Sequence, residues 1–300
     1  MGWTGLFKRL RESEKFLEAC FVQVLGQGIA SEPRRYAGYD LVAVDATALC
    51  GPGAKGTDQR VHTVYDLSCG MPRSVDLTDL RGGEHLKRHA SFGEGDLVLA
   101  DRGYGYKSDV LACLKTGAKL LVRFEFHSFK LLDAETGQTI SVAESERRLP
   151  QNEKLDLPVR IPECDVPLRA LGYRNDKKEA VWLMTDLSPE ELPLEEAREL
   201  YRSRWQVELF FKRAKSILDL DELPTRDGPC ARPWIWAKLT LAALAAILGG
   251  EPFSPWETRE LPVEEVRQRT PQNPPRTPGR KAQKQTQEKE EKENQSTSPT

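Results

Sequence analysis

Two stretches decide how this chain folds: DLVAVDATAL at residues 40–49 and DLVLADRGYGY at residues 96–106. In the first, Leu41–Val44 is a short apolar run that reads as a buried strand, with Asp45 at its end. In the second, Leu97–Ala100 repeats the pattern and Asp101 follows directly. A charged carboxylate emerging from a buried strand is costly unless it binds something. The competing reading of Asp45 is a carboxylate capping a following turn through Thr47. After Asp101, Gly103 and Gly105 loosen the backbone.

Working outward, residues 60–80 alternate as two strands around a Ser-Cys-Gly-Met-Pro turn, the pattern of a hairpin. Residues 83–90 read as a short helix. His85 and His89 fall one helical turn apart there, but no further Cys, His or Glu completes a zinc set, so a solvated helix face is the better reading. Residues 107–116 read as a helix ending at Gly117, and KLLVRF follows as a strand. Several strands with helices between them, two of them releasing an Asp, predict a mixed α/β sheet with carboxylates gathered at one edge, as in ribonuclease-H-like nucleases.

A third stretch, YRSRWQVELFFKRAK at residues 201–215, has helical periodicity. On a continuous helix, Tyr201, Arg204, Glu208 and Lys215 would fall within roughly 60° of one another. Leu200, Val207, Phe210, Phe211, Ala214 and Ile217 mostly cover the other side. Taken alone this is an amphipathic surface helix. Together with Asp45 and Asp101, Glu208 becomes a third carboxylate. Three clustered carboxylates repel unless a cation joins them, and all-oxygen ligands favour Mg²⁺ or Mn²⁺ over zinc. Two such ions about 3.5–4 Å apart could activate a water or a 3′-hydroxyl and stabilise the leaving oxygen of a phosphodiester. Arg204, Lys215 and Tyr201 would then grip neighbouring phosphates.

These three stretches resemble the DDE transposases of insertion-sequence family four, bacterial mobile-element enzymes. The resemblance rests on DLVAVDAT around Asp45, VLADRGYGY around Asp101, and Tyr-x2-Arg-x3-Glu-x6-Lys, met by Tyr201, Arg204, Glu208 and Lys215. It covers roughly residues 37–250. It implies a ribonuclease-H-like core with a β-rich insertion before the catalytic Glu. It implies cleavage at element ends, strand transfer into target DNA, a homodimer in the synaptic complex, and backbone contacts from Tyr201, Arg204 and Lys215. It also implies an insertion aromatic that holds a flipped base, with Trp182 and Phe126 as candidates. Against the family's pattern, Asp45 comes early and the C-terminal part is short. That suggests a shortened copy, with a non-catalytic DNA-binding remnant or an unrelated ribonuclease-H-like nuclease as the alternatives.

The remaining sequence organises around this core. Residues 5–25 read as one helix, broken near Ser13, and 29–39 as a basic connector, so 1–36 are taken as a remnant of a DNA-binding region. The catalytic core begins with 37–119. Residues 120–187 form the β-rich insertion, with little helical pattern and with Arg123, Phe124, Phe126, His127, Phe129 and Lys130 interleaved. Such a mixture suits either nucleic acid or an alternating strand with one wet face. Residues 188–255 carry the catalytic helix and core helices, with Ser188 as a helix cap and Pro193 dividing two helices. Residues 256–300 are polar and read as a largely disordered tail.

Net charge is −2 over 300 residues, so any nucleic-acid contact comes from local basic clusters. Six scattered cysteines without a CxxC pair read as reduced packing residues of a cytoplasmic protein. MGWTGLFKRL has neither the apolar core of a signal peptide nor the Ser or Thr of a myristoylation signal. The apolar run Leu239–Leu248 is too short to span a bilayer.

Overall fold

The computed structural model describes residues 3–27, 35–89, 91–128, 130–149, 154–162 and 164–249. The tail expected over 256–300, residues 29–34 of the connector, and Phe129 lie outside the described residues. Two helices open the chain, α1 (Trp3–Glu12) and α2 (Glu14–Gln27), interrupted at Ser13 as the sequence suggests. The two-residue β1 (Arg35–Tyr36) pairs with the long strand β2 (Tyr39–Leu49). The hairpin β3 (Gln59–Asp66) and β4 (Met71–Asp79) follows, then β5 (Asp96–Ala100), α3 (Lys107–Lys115) and β6 (Lys119–Phe124). These strands lie in the order β4-β3-β2-β5-β6, antiparallel on the hairpin side and parallel across β2, β5 and β6. This is the ribonuclease-H-like mixed sheet that the apolar runs predict.

Side-chain alternation explains why those runs are continuous. Leu41 and Ala43 of β2, with Leu97 and Leu99 of β5, enter one core; Val42, Val44, Val98 and Ala100 enter the other, on the opposite face. Both faces are covered, so no polar residue fits until the strands reach the sheet's edge. Burying each such Leu or Val is worth about 1.5–3 kcal/mol.

The rest of the chain extends and covers this sheet. After β7 (Leu132–Asp133) comes a helix that the sequence pattern did not suggest, α4 (Val142–Arg148). The strands β8 (Leu155–Arg160), β9 (Leu168–Arg174) and β10 (Ala180–Thr185) then add on at β6, with β10 antiparallel to it. The β-rich segment thus continues the core sheet rather than standing apart from it. α5 (Leu194–Arg202), α6 (Trp205–Leu218) and α7 (Gly228–Gly249) contribute to the first core. Ser188 accepts from the Glu191 amide at 3.2 Å, but it caps a turn; the helix begins at Leu194, after Pro193. Residues 83–90 hold only a 3-10 turn at Leu86–Arg88. α7 is longer than the apolar run read from sequence, and by length and composition it could cross a membrane. Ala231, Ile235, Trp236, Leu239, Ala242 and Ala243 are nevertheless buried, and the helix packs on α1, α2, α6 and β4, as a core helix does.

One glycine sets how closely the loop after β5 approaches the sheet. A Cβ on Gly105 would stand 2.3 Å from the Arg123 carbonyl oxygen and 2.9 Å from the Phe124 Cα. Backbone cannot yield as a flexible side chain can. Gly105→Ala is expected to destabilise the fold by about 1–3 kcal/mol, read as a shift in urea midpoint. Gly56→Ala, where a Cβ meets nothing within 4 Å, should shift it by less than about 0.5 kcal/mol.

Candidate active site

The pairing of β2 with β5 brings the first two carboxylates together. The parallel register runs Leu41 to Leu97 and ends at Val44 to Ala100. Asp45 and Asp101 are the next residue on each strand, one strand spacing apart, about 4.8 Å between backbones. Leu41 and Ala43 share Asp45's parity, and Leu97 and Leu99 share that of Asp101, so both aspartates belong to the face covered by α5 and α6. Asp45 does not end its strand, as the apolar run suggests. β2 continues to Leu49, pairing with β3 alone. The turn through Thr47 that could have claimed the carboxylate therefore does not exist.

Each aspartate uses one oxygen locally. Asp45 Oδ1 accepts from the Ala46 amide at 2.8 Å, and Asp101 Oδ1 accepts from the Gly103 amide at 2.8 Å, capping the 3-10 turn Arg102–Tyr104. Burial pushes the Asp45 carboxyl up to about 7. Arg204 and the Ala46 amide oppose the shift, while Asp101 and Glu208 add to it. Arg204 alone does not offset the charge gathered here.

The stretch 201–215 is not the single helix its periodicity suggests. It breaks at Ser203–Arg204, leaving Tyr201 on α5 and Glu208 and Lys215 on α6, with Arg204 just before the first residue of α6. Arg204 itself faces inward, with a side chain 12% exposed. Its Nη2 donates to Glu208 Oε1 at 2.5 Å, and its Nη1 lies 3.8 Å from Asp45 Oδ2. The guanidinium carbon sits 5.6 Å from the centre of the Tyr201 ring. Burial works against the guanidinium's charge, but Tyr201, Glu208 and Asp45 outweigh it and raise its pKa. Arg204 Nε and Nη1 are buried and donate to no hydrogen-bond partner among the described residues. Tyr201 is buried too, and its phenol is pushed up to about 12 by burial and by Asp101, with Arg204 opposing. Lys215 Nζ donates to the Ala48 carbonyl at 3.1 Å, tying α6 to the far half of β2.

The structure therefore gathers Asp45, Asp101, Glu208, Tyr201 and Arg204, with Lys215 of α6 further along β2, at Ala48. Among the described residues, no three His, Cys, Asp or Glu side chains converge closely enough to hold an ion as they stand. The donor set itself is all oxygen, and a half-buried carboxyl pushed up to about 7 beside two others is what a divalent cation would relieve. In donor chemistry, though not in their present side-chain positions, the carboxylates suit such an ion.

Two expectations do not hold. Trp182 and Phe126 are buried, edge to face at 4.5 Å, so neither can receive a base. His85 and His89 do not share the solvated helix face expected of them: His85 Nδ1 lies 3.2 Å from Asp109 Oδ2, while His89 is buried next to Tyr104. Sequence reasoning also missed two residues, Glu84 and Tyr104, which stand beside Asp101. Glu84 lies in the aperiodic stretch GGEH, where no pattern marks it.

Residues 36–244 match the transposase DDE domain family, and the chain belongs to that family. It is similar to the transposase for insertion sequence element IS421 of Escherichia coli, 28% identical over 278 residues, spanning 80% of this chain and 74% of that protein. The InsL protein of IS186A in Escherichia coli (strain K12) matches to the same extent. The y4zB protein of Sinorhizobium fredii is 24% identical over 217 residues, 69% of this chain and 59% of its own. Among solved structures, a piggyBac transposase synaptic complex with hairpin DNA is similar at 10% identity and a TM-score of 0.48, over 82% of this chain and 59% of that one.

The Asp45 carboxyl gives a stability test. In the folded chain it releases its proton near pH 7, in the unfolded chain near pH 4. Its charge therefore costs the fold nothing below about pH 4 and its full amount above about pH 7, a few kcal/mol in all. Asp45→Asn carries no charge, so without divalent cations it should gain on the wild type by a few kcal/mol between pH 5 and pH 8 in urea denaturation. A difference that does not change with pH would show that Asp45 is not desolvated.

Proposed function

We propose that this chain is a DNA transposase that cleaves and transfers DNA strands with a metal site formed by Asp45, Asp101 and Glu208. The observation that carries this is the register of β2 and β5, which sets two aspartates side by side under the helix bearing Glu208. Glu208 has a side chain 41% exposed on a rotatable stem, so it can turn from Arg204 toward Asp45. Bound there, two Mg²⁺ or Mn²⁺ ions would activate the attacking oxygen and stabilise the leaving one.

The chain's own groups set the rest of the site. Asp45 and Asp101 are held by backbone amides and cannot swing away. The unsatisfied Nε and Nη1 of Arg204 are donors suited to a phosphate oxygen, and Tyr201 fixes the plane of that guanidinium. Lys215 adds a cation beside β2. The substrate is double-stranded DNA, at element ends and target, acted on by a homodimer in the cytoplasm. The lock of Arg204 on Glu208 favours a second reading, a non-catalytic DNA-binding remnant, which the same experiment separates.

Supercoiled plasmid with Mg²⁺ or Mn²⁺ should be nicked by the wild type. Asp101→Ala and Glu208→Gln should each lose at least about 100-fold in rate while still retaining the plasmid in a filter-binding assay. Plasmid binding without nicking by the wild type selects the remnant; equal nicking by all three proteins overturns the site. Lys215→Ala should lower the slope of log K against log salt by about 0.9, the loss of one phosphate contact. An unchanged slope removes Lys215 from the DNA interface.

A further inference from the structure

The loop between β4 and β5 carries a carboxylate that nothing above has used. Glu84 is clamped from both sides. Before it, Arg60 Nη1 donates to the Gly82 carbonyl at 2.9 Å; after it, the Leu86 amide donates to the buried Asp109 Oδ1 at 2.8 Å. Its Oε1 lies 3.9 Å from Arg60, an ion pair too long for a hydrogen bond. Its Oε2 faces the Asp101 loop. A Cβ on Gly103 would stand 2.6 Å from Glu84 Oε2 and 3.1 Å from Asp101 Oδ1. Only a glycine there leaves room for both carboxylates against the same backbone atom.

A second observation marks the same place. Tyr104 is fully buried, and its hydroxyl has no hydrogen-bond partner among the described residues. That hydroxyl feels the charges of Asp45, Glu84 and Asp101 together. It is a buried donor left without an acceptor next to the loop that carries Asp101.

We propose that Glu84 is a fourth carboxylate of the active site, which with Asp101 ligates a divalent cation at the Asp101 end of the array. The proposal rests on the metal-dependent reading above. It gives the site one carboxylate from each of four separate elements: β2, the β4–β5 loop, the end of β5, and α6. Glu84 and Asp101 would hold one ion while Asp45, shared across the middle, and Glu208 serve the other. Extra negative charge raises affinity for a hard cation and costs little when the ion is bound.

The test is calorimetric titration of Mn²⁺ into the full chain at pH 7.5 without DNA, with thermal unfolding recorded in parallel without metal. Glu84→Gln should weaken Mn²⁺ binding by about 10- to 100-fold with the metal-free midpoint unchanged. Glu84→Asp, which keeps the charge, should recover most of the affinity. If Glu84→Gln binds as the wild type does while Asp101→Asn loses binding, Glu84 is not a ligand and only this proposal falls. Should the wild type and Asp101→Asn bind equally, or neither bind, the metal-dependent reading falls with it. Equal losses of affinity and metal-free stability in both Glu84 variants would make the residue structural and overturn the assignment.

Discussion

Everything in this molecule depends on the parallel pairing of β2 and β5. The ladder couples Leu41 to Leu97 and closes at Val44 to Ala100, and both strands are buried on both faces. A slip of one residue would turn the slipped strand's apolar set to the opposite core and carry its aspartate away from the other one. Register is thus fixed by burial, and burial fixes the site. The two carboxylates sit where apolar packing ends because that is the first place on these strands where a charge can be tolerated.

Arg204 is the second constraint. A carboxyl pushed up to about 7, with two others near it, needs a cation. Arg204, at the junction of α5 and α6, supplies one between Asp45 and Glu208. The surrounding loops serve the same end: Gly105 lets the loop after β5 lie against β6, and Gly103 lets two carboxylates share one backbone approach. Family membership and this geometry agree with each other, since the matched residues 36–244 include every group gathered at the sheet's edge.

Two classes of feature were legible before any coordinates. Runs such as Leu97–Ala100 announce buried strands because burial on both faces demands uninterrupted apolar residues. Asp45, Asp101 and Glu208 stand out because a charge next to such a run or helix face needs a reason. Other features left no local mark. Glu84 lies in a loop without periodicity, and its importance comes from Asp101, a residue distant in sequence. Trp182 and Phe126 looked available because alternation shows that one face of a strand is buried without saying which. Phe126 lies in a 3-10 turn after β6, and both rings are buried by packing against each other in the second core, with the Trp182 ring over Gly172.

The sequence by itself determined the mixed α/β class, the two aspartate-bearing strands, and the Tyr-Arg-Glu-Lys spacing, because each is a local pattern of burial or period. Only the tertiary structure decided that β2 runs past Asp45, that the helix breaks at Arg204, and that Glu84 and Tyr104 join the site. Those outcomes depend on which distant elements pack together. Contact energies between residues far apart in the chain decide them, and no window of sequence contains both partners.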